Sequence, residues 1–169
     1  MRRTFVWRGL DAVRLELAEA EVDSDRFTAR GTQIGVEPGA YELRYELGSD
    51  SLSVQIVGVR EVEVELDGYD FFDLGYSPLF NSLPILGHAL HEGRGEARDF
   101  VMAWVSVPEL ELTRSEQRYE LLEPGRVRYS AGSFSAELEL DPDGFVIRYP
   151  GLAERVYPQE SSPQATMRR

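Results

Sequence analysis

Apolar and polar residues alternate with a period of two over most of this chain. Tyr41, Leu43, Tyr45 and Leu47 interleave with Glu42, Arg44 and Glu46, and Leu52, Val54 and Ile56 interleave with Ser53 and Gln55. Val62, Val64 and Leu66 follow Glu61, Glu63 and Glu65, and Phe134, Ala136, Leu138 and Leu140 follow Ser133, Ser135, Glu137 and Glu139. Successive side chains of a strand point to opposite faces, so this pattern predicts strands with one buried and one wet face. Shorter alternations occur at residues 110–112, 119–121, 127–129 and 145–149. Residues 100–107 are apolar on both phases, with Val101, Ala103 and Val105 set against Phe100, Met102 and Trp104. That predicts a central strand covered on both sides.

Turn residues fall between these runs: Glu37-Pro38-Gly39, Gly48-Ser49-Asp50, Asp67-Gly68, Glu123-Pro124-Gly125, Ala131-Gly132 and Asp141-Pro142-Asp143-Gly144. A turn every 8–12 residues or so is the rhythm of sandwiches, rolls and barrels, and about a dozen strands are expected. Two segments depart from it. Residues 10–22 are rich in Ala, Leu and Glu, which favour helix, and Leu10, Val13 and Leu17 fit a helix face. Val13, Leu15 and Leu17 nonetheless alternate with Arg14 and Glu16, and with strands on either side we read a strand. Residues 77–91 lack alternation and carry Pro78 and Pro84, which predicts a loop with a short helical turn. Residues 1–157 read as one all-β domain, and residues 158–169, polar with two prolines, as a disordered tail.

Composition narrows the chemistry. The chain has 169 residues and a formal charge of −12, which argues against a nucleic-acid partner and against docking on anionic lipid through a basic patch. Cysteine is absent, which removes disulfides, thiolate nucleophiles and iron–sulfur ligation, and every one of the 18 basic residues is Arg, which removes Schiff-base and Walker-A chemistry. The apolar stretch after Met1-Arg2-Arg3 is broken at Arg8, too short for a signal peptide, and no run approaches a membrane span. A cytoplasmic protein without stable membrane insertion is expected, and the oligomeric state stays open.

His88 and His91 are spaced to share a side of a helical turn, but with no neighbouring Glu and no Cys they read as loop histidines. Asp67, Asp70 and Asp73 recur every third residue without the calcium-loop signature, and we read a hairpin turn at Asp67-Gly68 followed by an aromatic-rich strand. No cofactor and no metal is expected, and no catalytic residue is assigned. The segment from Asp73 through Tyr76 and Asn81 to Ile85 is too apolar to be a solvated loop. Either it plugs one end of the β structure, with Asn81 satisfying backbone groups, or it lines the mouth of an apolar cavity, with Asn81 orienting a ligand. Trp7 and Trp104 read as core residues. Tyr41, Tyr45, Tyr119, Tyr129 and Tyr149 all fall on the apolar phase of their strands, and buried tyrosines need hydroxyl partners.

These motifs resemble a bacterial family described as "putative glycolipid-binding". Trp7-Arg8 with Val13, Leu15 and Leu17 resembles its opening strands, and Tyr41-Glu42-Leu43-Arg44-Tyr45 its Tyr-x-x-x-Tyr strand. Asp73 followed by Ser77-Pro78-Leu79-Phe80-Asn81-Ser82-Leu83-Pro84-Ile85 resembles its most recognisable motif. Gln117-Arg118-Tyr119, and Asp141 with Gly144-Phe145-Val146 and Tyr149-Pro150-Gly151-Leu152, resemble its later strands. Leu86-Gly87 stand where members usually carry two arginines. The resemblance implies a single-domain antiparallel spiral β-roll, an incomplete barrel with little helix, similar to periplasmic lipoprotein carriers. It implies binding or carriage of an amphiphile, such as a glycolipid, with Asp73, Tyr76, Asn81, Tyr45, Gln117, Tyr119 and Tyr149 as ligand-binding residues. The alternatives are an enzyme acting on a glycolipid-like substrate and a protein-interaction domain with a filled core.

Overall fold

The computed structural model describes residues 1–23, 26–37, 39–93 and 96–159. The expected tail lies almost wholly outside the described residues. Thirteen strands form one sheet: β1 (Arg2–Gly9), β2 (Arg14–Asp23), β3 (Arg26–Gly35), β4 (Tyr41–Leu47), β5 (Ser51–Ile56), β6 (Arg60–Glu65), β7 (Phe71–Leu74), β8 (Ala97–Val105), β9 (Leu112–Glu123), β10 (Arg126–Ala131), β11 (Phe134–Leu140), β12 (Val146–Tyr149) and β13 (Ala153–Tyr157). Their order is β6-β5-β4-β3-β2-β1-β13-β12-β11-β10-β9-β8-β7, an open all-β roll rather than a closed barrel. Every pairing is antiparallel except β7 with β8. A parallel pair needs a long crossover. Here the crossover carries the one α-helix, α1 (Pro78–Gly87), and a 3-10 turn at Leu90–Glu92.

The Asp67-Gly68 turn is not a hairpin. β6 and β7 are the two opposite edges of the sheet, and the chain crosses between them through residues 66–70, with the Tyr69 amide donating to the Leu66 carbonyl. The sheet therefore coils until its edges approach at one end. β7 and β8 lie inside the coil: Phe72, Leu74, Ala103 and Val105 join one core, while Phe100 and Met102 join a second. Within the stretch expected to be covered on both sides, residues 100–107, β8 buries Phe100 and Met102 on one face and Ala103 and Val105 on the other, although β8 is next to an edge rather than central in the sheet. Trp7 is buried, and Trp104 only partly so.

Residues 78–87 form a helix of ten residues, where a loop with a short helical turn is expected over 77–91. Pro78 sits at the first turn, where its missing N–H costs nothing. All eight residues from Pro78 to Ile85 are buried, and a helix buried all round has no amphipathic period to read. The helix plugs the roll between the two cores.

Residues 10–22 do become a strand from Arg14 onwards, but with the opposite phase. Leu15 and Leu17 are 45% and 47% exposed, whereas Glu16, Ala18 and Ala20 are buried. Volume explains the inversion. The inner faces of β2 and β3 carry Ala18, Ala20, Ala29, Gly31 and Gly35, which leave room for α1 and for aromatic rings from the flanking strands. Gly31 faces Tyr45 and Gly35 faces Tyr41 in register across β3 and β4. A Cβ at Gly31 would lie 2.4 Å from the Tyr45 ring, and one at Gly35 would lie 2.3 Å from the Tyr41 ring. Large side chains at the inward β2 positions would overfill the same space.

Candidate functional site

Two buried carboxyl groups flank the segment that leads into α1. The first is Asp73 on β7. Gln117 on β9 donates from Nε2 to Asp73 Oδ2 at 2.7 Å, the Tyr119 hydroxyl donates to Gln117 Oε1 at 3.3 Å, and Asn81 Nδ2 in α1 donates to the Tyr119 oxygen at 3.2 Å. This chain of side-chain bonds ties helix, β7 and β9 together. Burial pushes the Asp73 carboxyl up to about 6, opposed by the hydrogen bonds from the Gln117 amide and the backbone at Leu74. Tyr119, Tyr129 and Tyr149 are all raised, first by burial, with the charge of Asp73 adding to it. Only the Tyr119 hydroxyl has a partner; those of Tyr129 and Tyr149 have none among the described residues. The rings form a continuous path outward: Tyr119 to Tyr129 at 5.3 Å, Tyr129 to Tyr149 at 6.2 Å, and Tyr149 stacked on Phe134 at 6.4 Å. Phe134 is 50% exposed, so the path runs from the buried carboxyl to the surface.

The second carboxyl is Glu16. Its Oε1 accepts hydrogen bonds from Tyr45 at 2.8 Å and from Ser77 at 2.6 Å, while its buried Oε2 has no partner. Ser77 is the N-cap of α1, yet its hydroxyl serves Glu16 instead of capping the helix. Burial pushes Glu16 up to about 7, against the lowering effects of Ser77, Tyr45 and Arg14. Beside it, Gln33 Nε2 donates to the Gly75 carbonyl at 3.1 Å and the Tyr41 hydroxyl donates to Gln33 Oε1 at 3.3 Å. Arg14 lies 4.3 Å from the centre of the Tyr76 ring, which a left-handed backbone (φ 63°) presents at the surface.

A third feature is an apolar cleft of about 370 Å³ at the end of the roll where α1 finishes. Phe27, Leu47, Leu66, Phe71, Leu83 and Leu86 line it, with Arg26, Ser49 and Asp70 among its polar residues.

A family model described as "putative glycolipid-binding" matches residues 55–155, well over half of the chain. The chain belongs to that family. A crystal structure of a DUF1089 family protein from Pseudomonas aeruginosa has the same fold, with a TM-score of 0.67 and 24% identity over 83% of this chain and 92% of that one. No curated protein matches. The family segment contains the whole Asp73 centre, whereas Glu16, Gln33, Tyr41 and Tyr45 precede it.

The structure brings Asp73, Asn81, Gln117 and Tyr119 into one hydrogen-bonded chain with Tyr149 beside it. Tyr45 belongs to the Glu16 cluster, and Tyr76 stands apart, 41% exposed under Arg14. None of these seven residues lines the apolar cleft, whereas Leu86 and Gly87, where the resemblance expects arginines, both do. Sequence reasoning missed Glu16, Ser77, Gln33 and Tyr129 as site residues. The available signal for Glu16 was its setting among Ala18 and Ala20, opposite a strand with Gly31 and Gly35. His88 packs on Phe71 and Phe100, Asp70 accepts the Val101 amide at 2.7 Å, and among the described residues no three potential ligands are grouped to hold a metal. Among the same residues no helix is long and apolar enough to cross a membrane.

Proposed function

We propose that this protein binds an amphiphile with a hydroxyl-bearing head, of the glycolipid type, without transforming it, and that the head lies against the Asp73 centre. The observation that carries this reading is the run of packed rings from Tyr119, bonded through Gln117 to Asp73, to Tyr129 and Tyr149, whose hydroxyls have no partner among the described residues, and on to the exposed Phe134. Phenol hydroxyls left without such a partner near the end of this run can exchange hydrogen bonds with a sugar, and the exposed Phe134 ring stacked on Tyr149 offers apolar surface next to them. Asn81, Gln117 and Tyr119 are positioning residues here, since their bonds are spent on one another and on Asp73. Binding is favoured over hydrolysis because the two buried carboxyls sit in separate clusters, one bonded to Gln117 and the other to Tyr45 and Ser77. A paired acid and base would have to share one site.

The test is calorimetric titration of n-octyl β-D-glucoside below its micelle threshold, with Tyr129→Phe and Tyr149→Phe. Each lost hydroxyl should weaken binding roughly five- to tenfold, on the scale of a net hydrogen bond of about 1 kcal/mol. A Tyr129→Phe/Tyr149→Phe double variant that binds like the wild type overturns the assignment.

A further inference from the structure

The apolar cleft at the end of α1 has no role in the head-group site. The Phe71 ring forms part of its wall and packs against Phe100 at 5.5 Å, and Phe100 packs against Tyr119 at 5.9 Å. Two aromatic rings therefore stand between the cleft and the Asp73 centre.

We infer that this cleft is a separate site for a single unbranched alkyl chain with an uncharged head. Five parts of the fold converge to build it: the β2–β3 end (Val22, Phe27), the β4–β5 turn (Leu47, Ser49), the link between the sheet edges (Leu66), the start of β7 (Phe71, Phe72) and the last turn of α1 (Leu83, Leu86). Most of its lining is apolar, so an occupant gains chiefly by dehydrating hydrocarbon, and the polar residues are few. Its volume of about 370 Å³, at about 30 Å³ for a water-sized group, holds roughly a dozen methylene-sized groups. Gly87 helps to set the shape, because a Cβ there would lie 2.7 Å from the Phe71 ring and push it from its place in the wall. Among the polar residues, Arg26 and Asp70 bring one charge of each sign. An uncharged head enters beside them without adding an unpaired charge, whereas an anionic head would meet Asp70 and a chain of net charge −12.

The experiment uses n-alkanols of six to fourteen carbons, which carry no sugar, and reads affinity on the full chain by calorimetry and by melting shift. Affinity should rise about fourfold per methylene, the ratio that about 0.8 kcal/mol per buried CH₂ implies, and level off near twelve carbons. Leu86→Trp fills the cleft, and Ser49→Trp, on an exposed turn that tolerates substitution, covers it. Each should shorten the limit by several carbons or abolish binding. Tyr149→Phe should leave alkanol binding unchanged, which separates this inference from the head-group reading. Alkanols that fail to bind, affinity that does not depend on length, or binding that survives both Trp variants overturns the inference. An n-alkyl sulfate that binds more tightly than the alkanol of equal length overturns the uncharged head.

Discussion

Asp73 and Glu16 face the same physical problem, a carboxyl taken out of water, and solve it differently. Asp73 is held by an amide donor at the end of a run of side-chain bonds that spans α1, β7 and β9. Glu16 receives two hydroxyl donors on one oxygen and none on the other. Burial dominates in both, raising Glu16 from 4.5 to about 7 and Asp73 from 3.8 to about 6. The comparison teaches that hydrogen bonds to one oxygen do not offset the desolvation of a whole carboxylate.

The largest expected effect is the pH dependence of Glu16. A carboxyl raised in the folded state binds its proton more tightly there than in the unfolded chain. Its contribution is complete below about 4.5, falls as pH rises to about 7, and is then lost. At about 1.4 kcal/mol per tenfold change in proton affinity, the loss is about 3 kcal/mol. Glu16→Gln cannot ionise, so urea unfolding should show the variant gaining about 3 kcal/mol on the wild type between pH 4.5 and 8. A constant gap across that range would mean that Glu16 stays charged and finds another partner. Asp73→Asn should behave alike over a lower window, about 3.8 to 6, with a gain of about 3 kcal/mol. A flat profile for the Asp73 variant would mean that the hydrogen bonds from Gln117 and the backbone at Leu74 offset its burial.

A third test removes the geometry that serves Glu16. Gly31→Ala places a methyl within 2.4 Å of the Tyr45 ring and hydroxyl. It should cost about 2 kcal/mol by overpacking and enlarge the pH dependence of Glu16, because displacing the Tyr45 hydroxyl removes a hydrogen bond that holds the carboxyl down, both visible in the same unfolding series. The smallest effect is Tyr149→Phe. Its hydroxyl has no partner among the described residues, so unliganded stability should stay within about 0.5 kcal/mol of the wild type. A loss well above that in thermal melts would show the phenol to be structural and would weaken the head-group proposal.

Much of this architecture was legible in the chain. Alternation located β4, β5, β6 and β11, and the tyrosines on their apolar phase do point inward, with Tyr45, Tyr119, Tyr129 and Tyr149 buried and Tyr41 partly so. The resemblance centred on Asp73, Asn81 and Gln117 picked residues that prove to be mutual partners. The errors fell where a segment's environment comes from elsewhere in the molecule. Leu15 and Leu17 look like core residues but face outward, because which phase of a strand is buried depends on the volume its neighbours leave. Residues 78–87 look like a loop because a helix enclosed on every side carries no polar stripe.

Local sequence determined which residues could be strands, where they turn, and which phenols and carboxyls were available, since these follow from a period of two and from side-chain chemistry. Tertiary structure decided that the two sheet edges meet through residues 66–70, that the β7–β8 pair lies inside the coil, and that α1 plugs it. It also decided that Glu16, separated by 61 positions from Ser77, is buried at all. These outcomes depend on how much space one distant segment leaves for another, and close packing sets that only when the whole roll is assembled.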